Sequence, residues 1–194
     1  MKQQNDINAL FMKLFDIFST ERFLTSTGTA GELPYYVQTY RPQDLTVVER
    51  NIPLLIDRLG SASIRVLEIN LYRLCISLLE EHGNLESVFE MELEEGKENL
   101  FEALQASLDV ETILLPAITA AIQAQEYHIC FVTGVGAVFP YIRTHTILNN
   151  LARVIRKPLV VFFPGNYDGY TLTIFGRIKD EHYYRAFLLD DYKV

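Results

Sequence analysis

Residues 127–163 read YHICFVTGVGAVFPYIRTHTILNNLARVIRKPLVVFF. Two short apolar runs, Tyr127–Thr133 and Leu159–Phe163, bracket a turn on Gly134, Gly136 and Pro140 and a helical pattern over 144–155. A run without polar alternation, such as LVVFF, is the strand type that a parallel sheet buries on both faces. Strand, crossover helix and buried strand in that order predict an α/β layer fold.

The same alternation extends in both directions. Upstream, Ile7, Leu10, Phe11, Leu14, Phe15 and Phe18 recur three and four apart over 6–18, an amphipathic helix. A loop (TSTGTAG, 25–31) leads to the short β-branched and aromatic run PYYVQTY at 34–40. A helix follows over 43–59, with Pro53 expected to kink or split it. IRVLEIN at 64–70 reads as a strand, and the helix after it carries Leu71, Leu74, Cys75, Leu78 and Leu79 on one face and stops at Gly83. Two short helical stripes follow, Leu85, Val88 and Phe89, then Leu100, Phe101, Leu104 and Leu108. Asp109 suits an N-cap, and Pro116 restarts a helix to about Gln125. Downstream of LVVFF, strands are expected at 171–175 and 184–189, with turns at Asp168-Gly169 and Gly176. The architecture expected is three-layered. A mostly parallel central sheet of five or six strands carries helices on both faces and an antiparallel C-terminal edge, in one domain spanning 1–194.

With 49% apolar and 22% charged residues in 194, the chain has ordinary globular usage, which excludes disordered and fibrous classes. The net charge of −8 argues against a general nucleic-acid binder, because phosphate contacts need cations. That charge is localised. Residues 80–102 hold nine Glu and one basic residue, Lys97, while the remaining 16 acids and 16 bases balance. Residues 141–188 lean positive, with seven bases against Asp168, Asp180 and Glu181. No signal-peptide pattern and no run of about 18 apolar residues is present, so a soluble cytoplasmic protein without a membrane partner is expected. Cys75 and Cys130 lie in apolar segments and read as buried, reduced thiols.

Several chemistries are excluded by spacing. The six lysines are followed by Gln, Leu, Glu, Pro, Asp and Val, so there is no phosphate-binding Gly-rich loop ending in Lys-Ser/Thr, and no nucleotide hydrolysis is expected. Gly134-Val135-Gly136 follows a strand, but Phe139 occupies the third glycine position of a dinucleotide fingerprint. No serine sits in a G-x-S-x-G elbow. His128 and Cys130 lie two apart on a strand, about 7 Å, too far for direct activation. The four histidines show no metal-ligand spacing, so no metal or other cofactor is expected.

What remains is a rim. In open α/β sheets ligands gather beyond the carboxyl ends of the strands. Gly134, Gly136, Arg143, His145 and Asn149 follow one buried strand, with Thr144 and Asn150 among them. Asp168, with Asn166 and Tyr167, follows another, and Glu68 with Asn70 ends a third. Residues 134–145 and 164–169 together would serve an enzyme or nucleotide-binding protein; the same polar residues also suit helix caps and turns. The acidic run offers a second kind of surface, for partner docking, at Glu90, Glu94, Glu95 and Glu98.

Four segments, GELPYYVQTY (31–40), VLEINLYRL (66–74), FVTGVGAVFPYIRTHTILNNL (131–151) and VVFFPGNYDGYTLTIFGRIKDEHYYRAFLL (160–189), resemble the BrxB family of BREX (bacteriophage exclusion) systems. The resemblance runs from about Phe23 to Leu189. It implies a small cytoplasmic bacterial component encoded beside a DNA methyltransferase, an alkaline-phosphatase-like PglZ protein and a large ATPase. Such a system marks host DNA by adenine methylation and blocks phage replication. The layout is also similar to a P-loop-type core without its phosphate loop. The resemblance brings no catalytic residues. It implies a non-enzymatic assembly or adaptor subunit that docks another BREX protein, the PglZ-like protein first, with the methyltransferase or large ATPase as other choices.

Overall fold

The computed structural model describes residues 2–26, 35–83, 85–94, 96–180, 182 and 186–193, without the side chains of 2–5, 152 and 153. Glu95, Glu181, Arg185, most of the 25–31 loop and the start of the 184–189 run lie outside the described residues.

Five strands form one parallel sheet in the order β2-β3-β4-β1-β7. They are β1 (Tyr35–Tyr40), β2 (Val66–Asn70), β3 (Ile129–Thr133), β4 (Leu159–Tyr167) and β7 (Ala186–Leu188). All four pairings along this path are parallel, with Val37 opposite both Val161 and Leu188. The antiparallel part is therefore not the sheet edge. It is a small extension in which Gly165–Tyr167 of β4 pair with β5 (Leu172–Ile174), which pairs in turn with β6 (Ile178–Lys179). β7 lies alongside β1 in the parallel sense.

Strand alternation divides the core into two layers. Tyr36, Tyr40, Ile129, Phe131, Val160 and Phe162 face α1 (Lys2–Phe18), the short α2 (Glu21–Leu24) and α3 (Leu45–Ser61). Val37, Leu67, Ile69, Cys130, Val132, Leu159, Val161 and Phe163 face α4 (Leu71–Glu81), α7 (Leu115–Ala124) and α8 (Thr144–Val154). On the first face Phe131 lies 5.4 Å from Phe18 and 5.3 Å from Phe162 between ring centroids. Truncating a buried Phe in such a cluster costs about 3–5 kcal/mol. α3 continues through Pro53 as one element, so the proline does not split it.

Between α4 and α7 lie α5 (Leu85–Glu94) and α6 (Lys97–Ser107), which contribute no fully buried residue. Leu85, Val88 and Leu104 lean against the core, but Phe89, expected in the same apolar stripe, is 56% exposed and Leu93 is 87% exposed. A single π turn, Val110–Leu114, joins α6 to α7. Residues 97–124 are the one helical run among the described residues long and apolar enough to cross a membrane. The run is not continuous: Leu108 and Asp109 leave helical geometry, and Leu108, Leu114 and Ile118 are buried against the sheet.

Candidate functional site

β1 feeds α3 on one face of the sheet, whereas β2 and β3 feed α4 and α8 on the other. Where connections part in this way, a crevice opens at the carboxyl ends of the strands. Here it is a cleft of about 270 Å³ whose walls include Tyr40, Glu49, Glu68, Arg73, Thr133 and Gly134. Glu68 is half-buried, and its Oε1 accepts a 2.7 Å hydrogen bond from Thr133 Oγ1 on the neighbouring strand. Asn70 ends β2 and caps α4, its Oδ1 accepting from the Arg73 N–H at 3.1 Å. Gly134 leaves β3 at φ +71° directly against that cap. Burial raises the Tyr40 hydroxyl well above the usual phenol range, with Glu49 adding to the effect.

Chemically, this cleft offers two carboxylates (Glu49 and Glu68), one guanidinium (Arg73) and two phenols (Tyr40 and Tyr72). The N–H of Arg73 in the first turn of α4 is bonded to Asn70 Oδ1 and is therefore not offered to an anion. Of the residues singled out in the sequence the cleft unites Glu68 and Gly134, together with Asn70. Tyr40, Glu49, Arg73 and Thr133 carried no motif that marked them beforehand.

The other rim residues fall elsewhere. Gly136 packs on Pro164 and Phe175, where a Cβ would come within 2.7 Å of Pro164 Cγ. Arg143 is exposed at the position before α8 and, with Thr144, lines a dent of about 20 Å³ beside Lys179 and Asp180, whose walls include neither His145 nor Asp168. Asn149 is exposed on α8, and Asn150 Nδ2 donates to the Thr146 carbonyl at 2.9 Å. Asp168 organises its own turn, accepting from the N–H groups of Tyr170 (2.9 Å) and Thr171 (2.7 Å). Those N–H groups hold its carboxyl below the usual carboxylate range, and its ionic neighbour is Lys179 at 4.0 Å. Its expected neighbour Asn166 pairs with Thr173 in the β4–β5 ladder, and Tyr167 donates to the Ala186 carbonyl at 3.1 Å.

His145 comes together with two residues that sequence spacing did not single out. Asp180 Oδ2 lies 3.3 Å from His145 Nδ1, and its Oδ1 lies 2.6 Å from His182 Nδ1. The two imidazoles stack at 3.6 Å between centroids. Both thiols are inert by burial: Cys75 is pushed up to about 12, and Cys130 is shifted further in the same direction. His128 Nδ1 accepts the Arg65 N–H at 2.9 Å, an edge contact between segments and no part of a cysteine site.

The acidic surface forms a separate feature. On α5, Glu86, Phe89, Glu90 and Leu93 share one outward face at helical spacing, and Glu94 is exposed beside them. Glu98 is exposed in the first turn of α6.

Comparison with known proteins adds the family. The family model described as "BREX protein BrxB" matches residues 67–189. A "BREX protein BrxB" of Bacillus cereus (strain H3081.97) is 37% identical over 190 residues, covering 95% of this chain and 98% of that protein. Another of the same name from Escherichia coli O9:H4 (strain HS) is 30% identical over 171 residues, 87% of this chain and 84% of the relative. No solved structure matches significantly.

Proposed function

This chain belongs to the BrxB family and is a BREX-system component, and on that premise we propose that it is a non-enzymatic assembly subunit that docks another BREX protein through α5 and α6. The observation that carries the reading is Phe89 and Leu93, 56% and 87% exposed, standing among Glu86, Glu90, Glu94 and Glu98 on helices that bury no residue fully. An aromatic anchor with an acidic surround fits a partner that offers an apolar pocket ringed by Lys or Arg. The PglZ-like protein is the first partner to test, followed by the methyltransferase and the large ATPase.

Two variants test the docking. Phe89→Ser with Leu93→Ser removes the anchors; Glu90→Gln, Glu94→Gln and Glu98→Gln together remove charge. Neither set touches a buried residue. Co-purification of tagged protein with the other BREX proteins should fall sharply in the first variant. In the second it should weaken and lose its salt sensitivity, since exposed charges are screened over about 8 Å at physiological salt. Association unchanged in both variants would overturn the docking surface.

A ligand-binding or enzymatic reading is favoured only by the location of the cleft at the parting of the connections. Nucleotide turnover by pure protein that Glu68→Gln abolishes would move the function there.

A further inference from the structure

We propose that His145, Asp180 and His182 form a binding site for a divalent transition-metal ion of the zinc class. The three residues come from elements far apart in sequence. His145 projects from the first turn of α8, while Asp180 follows β6, where its N–H donates to the Leu172 carbonyl at 2.8 Å. His182 approaches from the solvent side, its own N–H donating to Asp180 Oδ1 at 3.1 Å. One ligand atom from each residue lies within 4.8 Å of the other two.

The donor set fits this metal class. Two imidazole nitrogens and a carboxylate oxygen are ligands suited to Zn²⁺, Co²⁺ and Ni²⁺, and three protein ligands leave a fourth position for water. Metal–ligand bonds of 2.0–2.1 Å in a tetrahedron put neighbouring ligand atoms about 3.3 Å apart. The His145 Nδ1–Asp180 Oδ2 separation is 3.3 Å. His182 Nδ1 sits closer, 2.6 Å from Asp180 Oδ1, and its ring lies 16° from parallel to that of His145. Coordination therefore needs the His182 ring to leave the stack and open by several tenths of an ångström. Its side chain is 56% exposed and has room to do so, whereas those of His145 and Asp180 are 21% exposed and form the preformed half. Without the ion the contacts of Nδ1 with Asp180 are hydrogen bonds that place a proton on Nδ1. The metal takes that proton's place, each ring keeping or taking its proton on Nε2 and any excess proton leaving to solvent, so that Nδ1 presents a lone pair. Arg143 and Lys179 line the same dent as Asp180, and Lys179 also faces Asp168 at 4.0 Å. The bound ion would pin the start of α8 to the β5–β6 hairpin.

The test uses the full-length chain stripped of metal with a chelator, and Zn²⁺ and Co²⁺ as probes. Calorimetry with Zn²⁺ should give one site with a low-micromolar or tighter dissociation constant. Co²⁺ should give visible absorption bands of a four- or five-coordinate ion. His182→Gln and Asp180→Asn should each weaken binding at least tenfold, while the control His82→Gln with His128→Gln leaves it unchanged. His182 lies outside the core, so His182→Gln tests the site without unfolding the protein; circular dichroism checks this. Absence of saturable one-to-one binding below about 100 µM, or binding that persists in His182→Gln, would overturn the proposal.

Discussion

At Gly134 the chain turns with φ +71°, and a Cβ there would stand 2.8 Å from Asn70 Oδ1 and 3.0 Å from the Tyr72 N–H nitrogen. Gly134→Ala therefore combines backbone strain with displacement of the α4 cap, and should cost about 2–3 kcal/mol in urea unfolding. Gly169→Ala makes the useful comparison. It shares the left-handed backbone at φ +90° but faces open space, so it should cost only about 1 kcal/mol. Equal losses in the two variants would show that the contact with Asn70 contributes nothing. The G-x-G spacing announced a tight turn, and Gly134 makes one. What it could not announce is the neighbour, because Asn70 is 64 residues away and meets Gly134 only through β2–β3 pairing. The same limit hid Asp180 and His182. No local spacing marks them, since His145 reaches them across the β5–β6 hairpin.

Elements were legible where a packing period was strong. β3 and β4, buried on both faces, and α4, with one apolar face, stand close to where their patterns place them. β6 has no such pattern, being two residues with both side chains exposed, and the three residues of β7 are too few to signal the parallel pairing with β1. The junction of α6 and α7 was marked by chemistry rather than period. Asp109 Oδ1 accepts from the N–H groups of Glu111 (3.1 Å) and Thr112 (2.9 Å) and from Thr112 Oγ1 (2.7 Å). The Thr112 hydroxyl, followed by its N–H and that of Glu111, holds the Asp109 carboxyl below the usual carboxylate range. Asp109→Ala should lower stability by about 1 kcal/mol at pH 7, measured by denaturant unfolding. Because the folded-state value is depressed, this contribution is complete above the unfolded pKa of about 3.9 and disappears as pH falls through the folded value. The gap between wild type and Asp109→Ala should accordingly narrow below pH 4. A gap that stays constant from pH 7 to pH 3 would mean that ionised Asp109 is not the stabilising species.

Across the whole molecule, charge is distributed so that one projection carries the excess. The −8 of the chain equals the −8 of residues 80–102, much of which lies on the exposed faces of α5 and α6. Composition revealed that imbalance, whereas the exposure of Phe89 and Leu93 became visible only in three dimensions, because a helix with too few apolar positions to cover still shows a stripe. The basic side chains Arg143, Arg156, Arg177 and Lys179 are all exposed, and they come from three different segments. A DNA-binding surface must neutralise several phosphates at once, and each neutralised phosphate contributes about 0.9 to the slope of log affinity against log salt. With the acidic helices adding repulsion, isolated protein should bind duplex DNA more weakly than about 10 µM at physiological salt. A mobility-shift titration on a short duplex at two salt concentrations measures this directly. Sub-micromolar binding with a slope near 4 would mean that these four cations act as one surface, and Arg177→Glu with Lys179→Glu should then abolish the shift. Weak binding that the glutamine replacements on α5 and α6 strengthen would identify the acidic projection as what keeps nucleic acid away while leaving a basic protein partner free to dock.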